Sequence, residues 1–358
     1  MADMVDWQLA TNVARKLMRP GPRVTRAEAD QVVADLRRFA AESEQHVREF
    51  TGLQATSATA PVIVVDRIGW VQANADGFRT VLKPLTDKLQ EKAAAKPGGA
   101  VSTAVGSRVS AVEAGALLAF LSTKVLGQFD PFYPAQPDPD QPGLTGRLLL
   151  VAPNVVHVET ELQVDPRDFR LWVCLHEETH RVQFTAVPWL RDHLRAEISL
   201  FLDQAELEPS AYAAMFREAI QKLARSARGE EEVSLVDLLQ SPEQKAVLDR
   251  LTAVMSLLEG HADFVMDGVG PAVIPTVDVI RGKFNGRRAG GGLLDQLLRR
   301  LLGLDAKMRQ YRDGAAFVRR VVDRVGMEGF NRVWTGPNTL PTKAEIADPD
   351  AWITRVHG

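Results

Sequence analysis

Apolar residues recur at helical spacing over most of the chain, so the sequence predicts a mainly helical protein. Residues 110–129 are apolar on almost every side, which predicts a buried helix. Residues 92–107, rich in Ala, Gly and Ser, are expected to form a loose connection. Residues 130–143 contain five prolines and are predicted to be irregular. Amphipathic or basic helices are predicted over residues 5–19, 26–50, 188–202, 210–227, 241–267 and 277–326.

Evidence for strands is confined to two places. The β-branched run Val62–Val65 fits either a strand or a helix. Residues 147–162 contain two apolar runs on either side of Ala-Pro-Asn, which is typical of a short sheet element. The Pro-punctuated C-terminal tail is expected to pack as an extended strap. We expect a helical N-terminal region over residues 1–145 and a catalytic region over 146–358, together in one compact unit.

Composition narrows the class of protein. The 358 residues are 45% hydrophobic and 25% charged, which is ordinary for a globular protein. A net charge of -3 gives no general attraction to nucleic acid or membranes, so neither is expected as a partner. Cys174 is the single cysteine, which excludes an internal disulfide and fits a reducing compartment. With neither a secretory signal nor a long apolar span, a cytoplasmic location is expected.

The stretch Leu171–Phe184, LWVCLHEETHRVQF, carries the chemistry. Asp165 is a predicted N-cap that places the whole stretch inside a helix. Residues four apart share a helix face, so His176 and His180 can hold one metal ion. Glu177 reaches that face from the side, where it can act as general base toward a metal-bound water. Burying these groups without a cation would be costly, which favours a zinc site over a charged helix that matches by accident.

Zinc requires a third protein ligand. The segment LLEGHADFVMD offers three candidates, in the order Glu259, Asp263 and His261. Glu259 is an acid among apolar residues, although an arginine partner across a helix interface would also explain it. Asp263 lies on the same face and could instead accept a proton from a ligating histidine. A His-Glu-x-x-His motif followed by Glu-x-x-x-Asp is the pattern of thermolysin-like gluzincins.

The metzincin variant of the motif does not fit, because Gln183 and Ala186 stand where that class has Gly and His. The chain instead resembles a mostly actinobacterial family of zincin-like metallopeptidases, some of which are linked with biosynthesis of a deazaflavin coenzyme. The resemblance rests on VAPNVV, the long motif segment, LEGHADFVMD, LLRRLLGLDAKMRQYRDGAAFV and LPTKAEIADPDAW. It implies an α+β, predominantly helical fold, with a zincin-like core and a small β-sheet beside the motif helix.

Other residues suggest auxiliary roles. Tyr311, Arg309 or His261 could stabilise an oxyanion, although core packing also explains Tyr311. The strand-like run Leu148–Val151 could bind a peptide by strand addition, provided that it is an edge strand. Residues 281–312 are basic, but their glycines lack the spacing of a phosphate-binding loop, so a solvated loop and helix explain them better.

The sequence therefore predicts a Zn²⁺-dependent peptidase of gluzincin type that acts on a peptide or protein substrate. His176, His180 and Glu259 are the predicted ligands, Glu177 the general base, Tyr311 the candidate oxyanion group and Asp263 the supporting acid. The alternative is a catalytically silent zincin-fold binding or scaffold protein. Substrate specificity and oligomeric state are not indicated.

Overall fold

The computed structural model describes residues 5–55, 60–94, 99–133, 146–203, 242–289 and 304–358. Within them, helices dominate and the strands form one three-stranded sheet, which confirms the predicted α+β, mostly helical fold class.

The elements before the motif helix are α1 (Trp7–Leu17), α2 (Arg26–Thr51), β1 (Val62–Val65), α3 (Arg67–Ala94), α4 (Gly99–Leu121), β2 (Gly127–Asp130), β3 (Arg147–Val151) and α5 (Ala152–Leu162). The motif helix is α6 (Pro166–Ala186), and it is followed by α7 (Pro188–Asp203), α8 (Pro242–Val273), α9 (Val277–Ala289) and α10 (Leu304–Phe330). The chain ends in short helices: two 3-10 turns (Asn331–Trp334 and Pro337–Thr339), α11 (Lys343–Ala347) and α12 (Pro349–His357). The helices predicted over 5–19, 26–50 and 188–202 are confirmed, and the helix predicted over 210–227 lies outside the described residues.

The sheet has the order β1-β3-β2. β3 pairs in parallel with β1 and antiparallel with β2. All five residues of β3 are buried, as expected for a central strand flanked on both sides. The hypothesis that Leu148–Val151 binds a peptide by strand addition is therefore wrong, because both edges of this strand are already paired.

The second apolar run of residues 147–162 is a helix, α5, rather than the predicted second strand. Its buried residues Val155, Val158 and Leu162 follow helical spacing. Asn154, the last residue of the Ala-Pro-Asn between the two apolar runs, is fully buried at the start of α5. Its amide donates to the carbonyls of Ser122 and Val125, and its carbonyl accepts from Arg67 at 2.6 Å. These long-range bonds outweigh the local preference of Ala-Pro-Asn for a turn.

Two other predicted boundaries were wrong. Gly99 begins α4, so residues 99–107 are helical rather than loose. The helix predicted over 110–129 ends at Leu121, and its last predicted residues form β2. The predicted irregular segment lies mostly outside the described residues, since 134–145 are among those not described.

Two further differences concern the C-terminal half. α8 continues through Gly268 instead of ending before it. A Cβ atom at Gly268 would collide with the ring of Phe50, so this glycine serves helix packing rather than helix termination. The tail is a series of short helices rather than an extended strap, and its capping box at Thr342 and Glu345 begins α11.

The chain divides into two compact units. Among the described residues, the first unit includes those of 1–43 and 57–181, and the second those of 44–56, 182–206 and 214–358. In the first, the sheet contributes Leu149 to a buried cluster that contains Trp70 and Leu118. In the second, α8 packs against α10 through Gly260 and Gly314, where a Cβ on either glycine would collide with the backbone of the other helix. The division predicted at residue 145 stays a prediction.

No described helix is long and apolar enough to cross a membrane.

Candidate metal centre

The start of α6 fixes the register of the motif. Asp165 accepts a hydrogen bond from the backbone N–H of Asp168 at 3.0 Å, as predicted for an N-cap, and Pro166 begins the helix. Phe169 and Leu175 on α6 are fully buried. His176 and His180 are partly exposed, with ring centroids 4.9 Å apart. The helix therefore presents both imidazoles together, at the edge of the protein interior.

Glu259 on α8 completes a group of three possible donors. One ligand atom from each of His176, His180 and Glu259 lies within 4.8 Å of the others, and all three residues are partly buried. Two imidazole nitrogens and one carboxylate oxygen form a donor set that binds zinc in catalytic sites and leaves a coordination position open. In the described part of the chain, this is the cluster of His, Cys, Asp and Glu that could hold a metal ion. The donors present therefore fit zinc.

Glu177 lies against a bare stretch of backbone in the edge strand β2. This residue is only 8% exposed. A Cβ atom on Gly127 would lie 2.6 Å from both Cγ and Cδ of Glu177, closer than real Cβ contacts come. Sequence reasoning missed Gly127, although a glycine within a strand often marks such a close approach. The residue makes room for the carboxylate of the predicted general base.

Glu178, the second glutamate of the motif, is part of a buried ion pair. Glu178 is fully buried, and its carboxylate accepts from Arg181 at 2.6 Å. Arg181 also donates to the carbonyl of Ala60 at 2.7 Å. The Glu178 carboxylate is thus engaged in a buried ion pair, and we assign it no part in the chemistry.

Gln183 joins α6 to α8. Its side-chain nitrogen donates to the carbonyl of Leu258 at 3.0 Å and contacts Nδ1 of His261 at 2.9 Å. At the sequence level this glutamine served only to exclude the metzincin pattern, and its own role was missed. A local sequence pattern does not predict that a side chain forms a hydrogen bond with a residue 75 positions further along the chain.

The remaining candidates are placed differently. His261, the third choice as ligand, is fully buried, and its ring stacks on Phe330 at 5.3 Å. Asp263 lies one helical turn after Glu259 on α8, and its supporting role stays a prediction. Tyr311 belongs to α10, but its side chain, like that of Arg309, lies outside what the structure describes.

Burial makes Cys174 inert. It is fully buried on α6, with its sulfur 3.6 Å from the carbonyl of Leu36. Burial raises the pKa of this thiol well above its usual value, and the negative charges of Glu178 and Glu177 raise it further. Cys174 is therefore a small buried residue of the core, and we assign it no chemical role.

Comparison with known proteins agrees with this geometry. A family model described as zincin-like metallopeptidase matches residues 5–353. The chain is similar to a solved structure from Chloroflexus aurantiacus, which is described as a proposed hydrolase with a novel fold. The two share 30% sequence identity with a TM-score of 0.70, and the similarity covers 99% of each chain. No curated protein matches the chain.

Proposed function

We propose that this chain, which belongs to the zincin-like metallopeptidase family, is a zinc-dependent peptidase of gluzincin type. Family membership and the similarity to a protein described as a hydrolase support hydrolysis as the class of reaction. The observation that carries the finer proposal is the proximity of His176, His180 and Glu259, whose donor atoms lie within 4.8 Å of one another.

The three donors are held in place by two helices, α6 and α8. His176 and His180 share one face of α6, and Glu259 comes from α8, which Gln183 ties to α6. Zinc, when bound there, would polarise a peptide carbonyl and make a water molecule more acidic. The protein contributes the donors and their orientation.

Glu177 is the proposed general base. It lies one residue after His176, so its carboxylate is beside the ligand face without being one of the three donors. A carboxylate in this place can accept a proton from the attacking water and return it to the departing amine nitrogen. Contact with the Gly127 backbone restricts the carboxylate to a narrow range of positions.

The strand next to Glu177 supports a peptide as substrate. The backbone N–H of Val151 donates to the carbonyl of Leu126, so antiparallel alternation points the main-chain groups of Gly127 and Phe129 away from β3. Among the described residues, β2 is an edge strand. An extended peptide could pair with these groups and bring its scissile carbonyl next to Glu177. Strand addition is thus proposed for β2 rather than for Leu148–Val151.

Two measurements test the proposal. Untagged protein should contain zinc in a one-to-one ratio by mass spectrometry of metals, or take it up to that ratio. Glu177→Gln should keep the zinc and lose cleavage of a diverse peptide library, whereas Glu161→Gln, an exposed glutamate on α5, should keep both. Absence of zinc uptake would refute the metal site. Full activity of Glu177→Gln would refute the general base, and no cleavage by zinc-loaded wild type would favour the scaffold alternative.

A further inference from the structure

The amide of Gln183 is buried and makes two contacts with α8. Gln183 has no exposed surface, and its single side-chain nitrogen reaches both the Leu258 carbonyl and Nδ1 of His261. Because the carbonyl can only accept, one amide hydrogen points to Leu258. The other points to Nδ1, which makes His261 a neutral ring with its proton on Nε2. Both hydrogens of the amide are therefore used on α8.

The two contacts bracket Glu259 along α8. Leu258 directly precedes Glu259 and His261 follows it by two residues, so the bonded atoms lie on both sides of the ligand position. Leu258 and His261 are almost fully buried, while Glu259 is partly exposed. Gln183 is itself three residues after His180 on α6. The amide thus connects the helix that carries two donors with the backbone that carries the third.

α8 is also held at this point by α10. Gly260 packs against the backbone at Gly314, and a Cβ atom on either residue would collide with the opposite helix. The ring of His261 stacks on Phe330 and makes an edge contact with Trp334 at 5.4 Å. This packing limits how far α8 can slide or turn, and the hydrogen bonds of Gln183 select one register within those limits.

We infer that Gln183 is a positioning residue that fixes Glu259 where it can bind the metal. The inference rests on the proposed zinc site and adds to it a residue that touches neither metal nor substrate. Residues that support metal ligands through hydrogen bonds typically contribute about 10–100-fold in metal affinity. Loss of the amide would let Glu259 occupy several positions, so that binding zinc would have to select one of them.

The first test compares zinc affinity in two variants. Gln183→Leu keeps a similar volume and removes both contacts, so its zinc Kd should rise by about 10–100-fold in competition with a chelating indicator. Ser256→Ala is the matched control. Ser256 is buried on the same helix near Glu259, but its hydroxyl donates only within α8, to the Thr252 carbonyl at 2.9 Å. This control should bind zinc as wild type does.

A double-mutant cycle separates positioning from general destabilisation. If Gln183 acts through Glu259, adding Gln183→Leu to Glu259→Gln should cause no further loss of zinc affinity. If the double variant binds zinc more weakly than Glu259→Gln, by the factor that Gln183→Leu causes alone, the inference would be overturned. Wild-type zinc affinity in the single Gln183→Leu variant would also overturn it. Circular dichroism of the metal-free proteins would check that each variant is folded.

His261→Phe gives a second measurement in case Gln183→Leu does not fold. Phenylalanine keeps the stacking on Phe330 but removes the Nδ1 acceptor, so zinc affinity should fall while the one-to-one ratio persists. An unchanged affinity would overturn the inference, and a lost binding site would identify His261 as a ligand instead. Failure of wild type to bind any zinc would refute the proposed function itself, and the inference with it.

Discussion

Gly127 and Glu177 are in such close contact that no side chain fits between them: a Cβ atom on Gly127 would lie 2.9 Å from Oε1 of Glu177 and closer still to Cγ and Cδ. Strand β2 therefore limits the carboxylate of the proposed general base with backbone alone. The two residues are distant in sequence and meet where β2, an edge strand among the described residues, lies against α6.

Gly127→Ala should lower kcat by about 100-fold, because a displacement of about 1 Å at a reacting group can cost that much. Zinc content should not change, since the atoms nearest to the added methyl group belong to Glu177, which is not one of the three proposed donors. Steady-state kinetics with a fluorogenic peptide, together with metal analysis, would measure both. Gly282→Ala on α9 is the control, because a Cβ there meets nothing within 4 Å. Wild-type kcat in Gly127→Ala would contradict the assigned contact.

Glu178→Gln should destabilise the fold by about 3–5 kcal/mol, because it leaves the charge of Arg181 buried without its counter-ion. Both members of this pair are nearly inaccessible, at 0% and 5% side-chain exposure. Urea unfolding followed by tryptophan fluorescence would give the free energy of unfolding. The exposed pair Lys83–Asp87 supplies the comparison, and Asp87→Asn should cost no more than about 1 kcal/mol. Equal effects in the two variants would argue against a structural role for Glu178.

Gly314→Ala should destabilise the second unit by about 1–3 kcal/mol, because the added methyl group collides with the Ser256 carbonyl on α8. Gly282→Ala again serves as control, and this helix-interior change should be neutral or stabilising. Thermal unfolding by circular dichroism would detect the difference. If Gly314→Ala is as stable as wild type, α8 and α10 do not pack closely enough for the added methyl group to collide with the Ser256 carbonyl.

Cys174 should not react with a thiol reagent such as Ellman's reagent while the protein is folded. Burial raises the pKa of its thiol, so the reactive thiolate is rare at neutral pH, and access is blocked as well. Reaction should begin only as the chain unfolds, with the same midpoint in denaturant as circular dichroism. Rapid labelling of native protein would contradict the burial of α6.

The sequence predicted what local patterns encode. The N-cap at Asp165 and the shared helix face of His176 and His180 depend on residues within a few helical turns. The same is true of the positions of most helices. Glu259 was also proposed from the sequence, because an acid among apolar residues on a predicted helix requires a partner, and the structure places a carboxylate oxygen of Glu259 within 4.8 Å of nitrogens of both histidines. These predictions used only residue type and spacing.

The errors occurred where distant contacts decide the local structure. Asn154 begins a helix because Ser122, Val125 and Arg67 satisfy its amide, and none of these residues is a sequence neighbour. β3 is a central strand rather than an edge strand because β2 pairs with its second side. The residues of a single strand do not determine its position in the sheet. The roles of Gly127 and Gln183 were missed for the same reason, because each role depends on contact with a residue that is distant in the sequence.

The contact between Gln183 and Leu258 spans 75 residues of chain, and this separation has a consequence for folding. In the unfolded chain, the two histidines form only half of a site, and bringing Glu259 to them costs the entropy of closing a long loop. The folded protein has already closed that loop. Zinc would therefore bind the native state in preference to the unfolded state and act as a reversible cross-link. Its removal by a chelator would cost stability as well as activity, so the concentration of free zinc would set how long the folded protein survives.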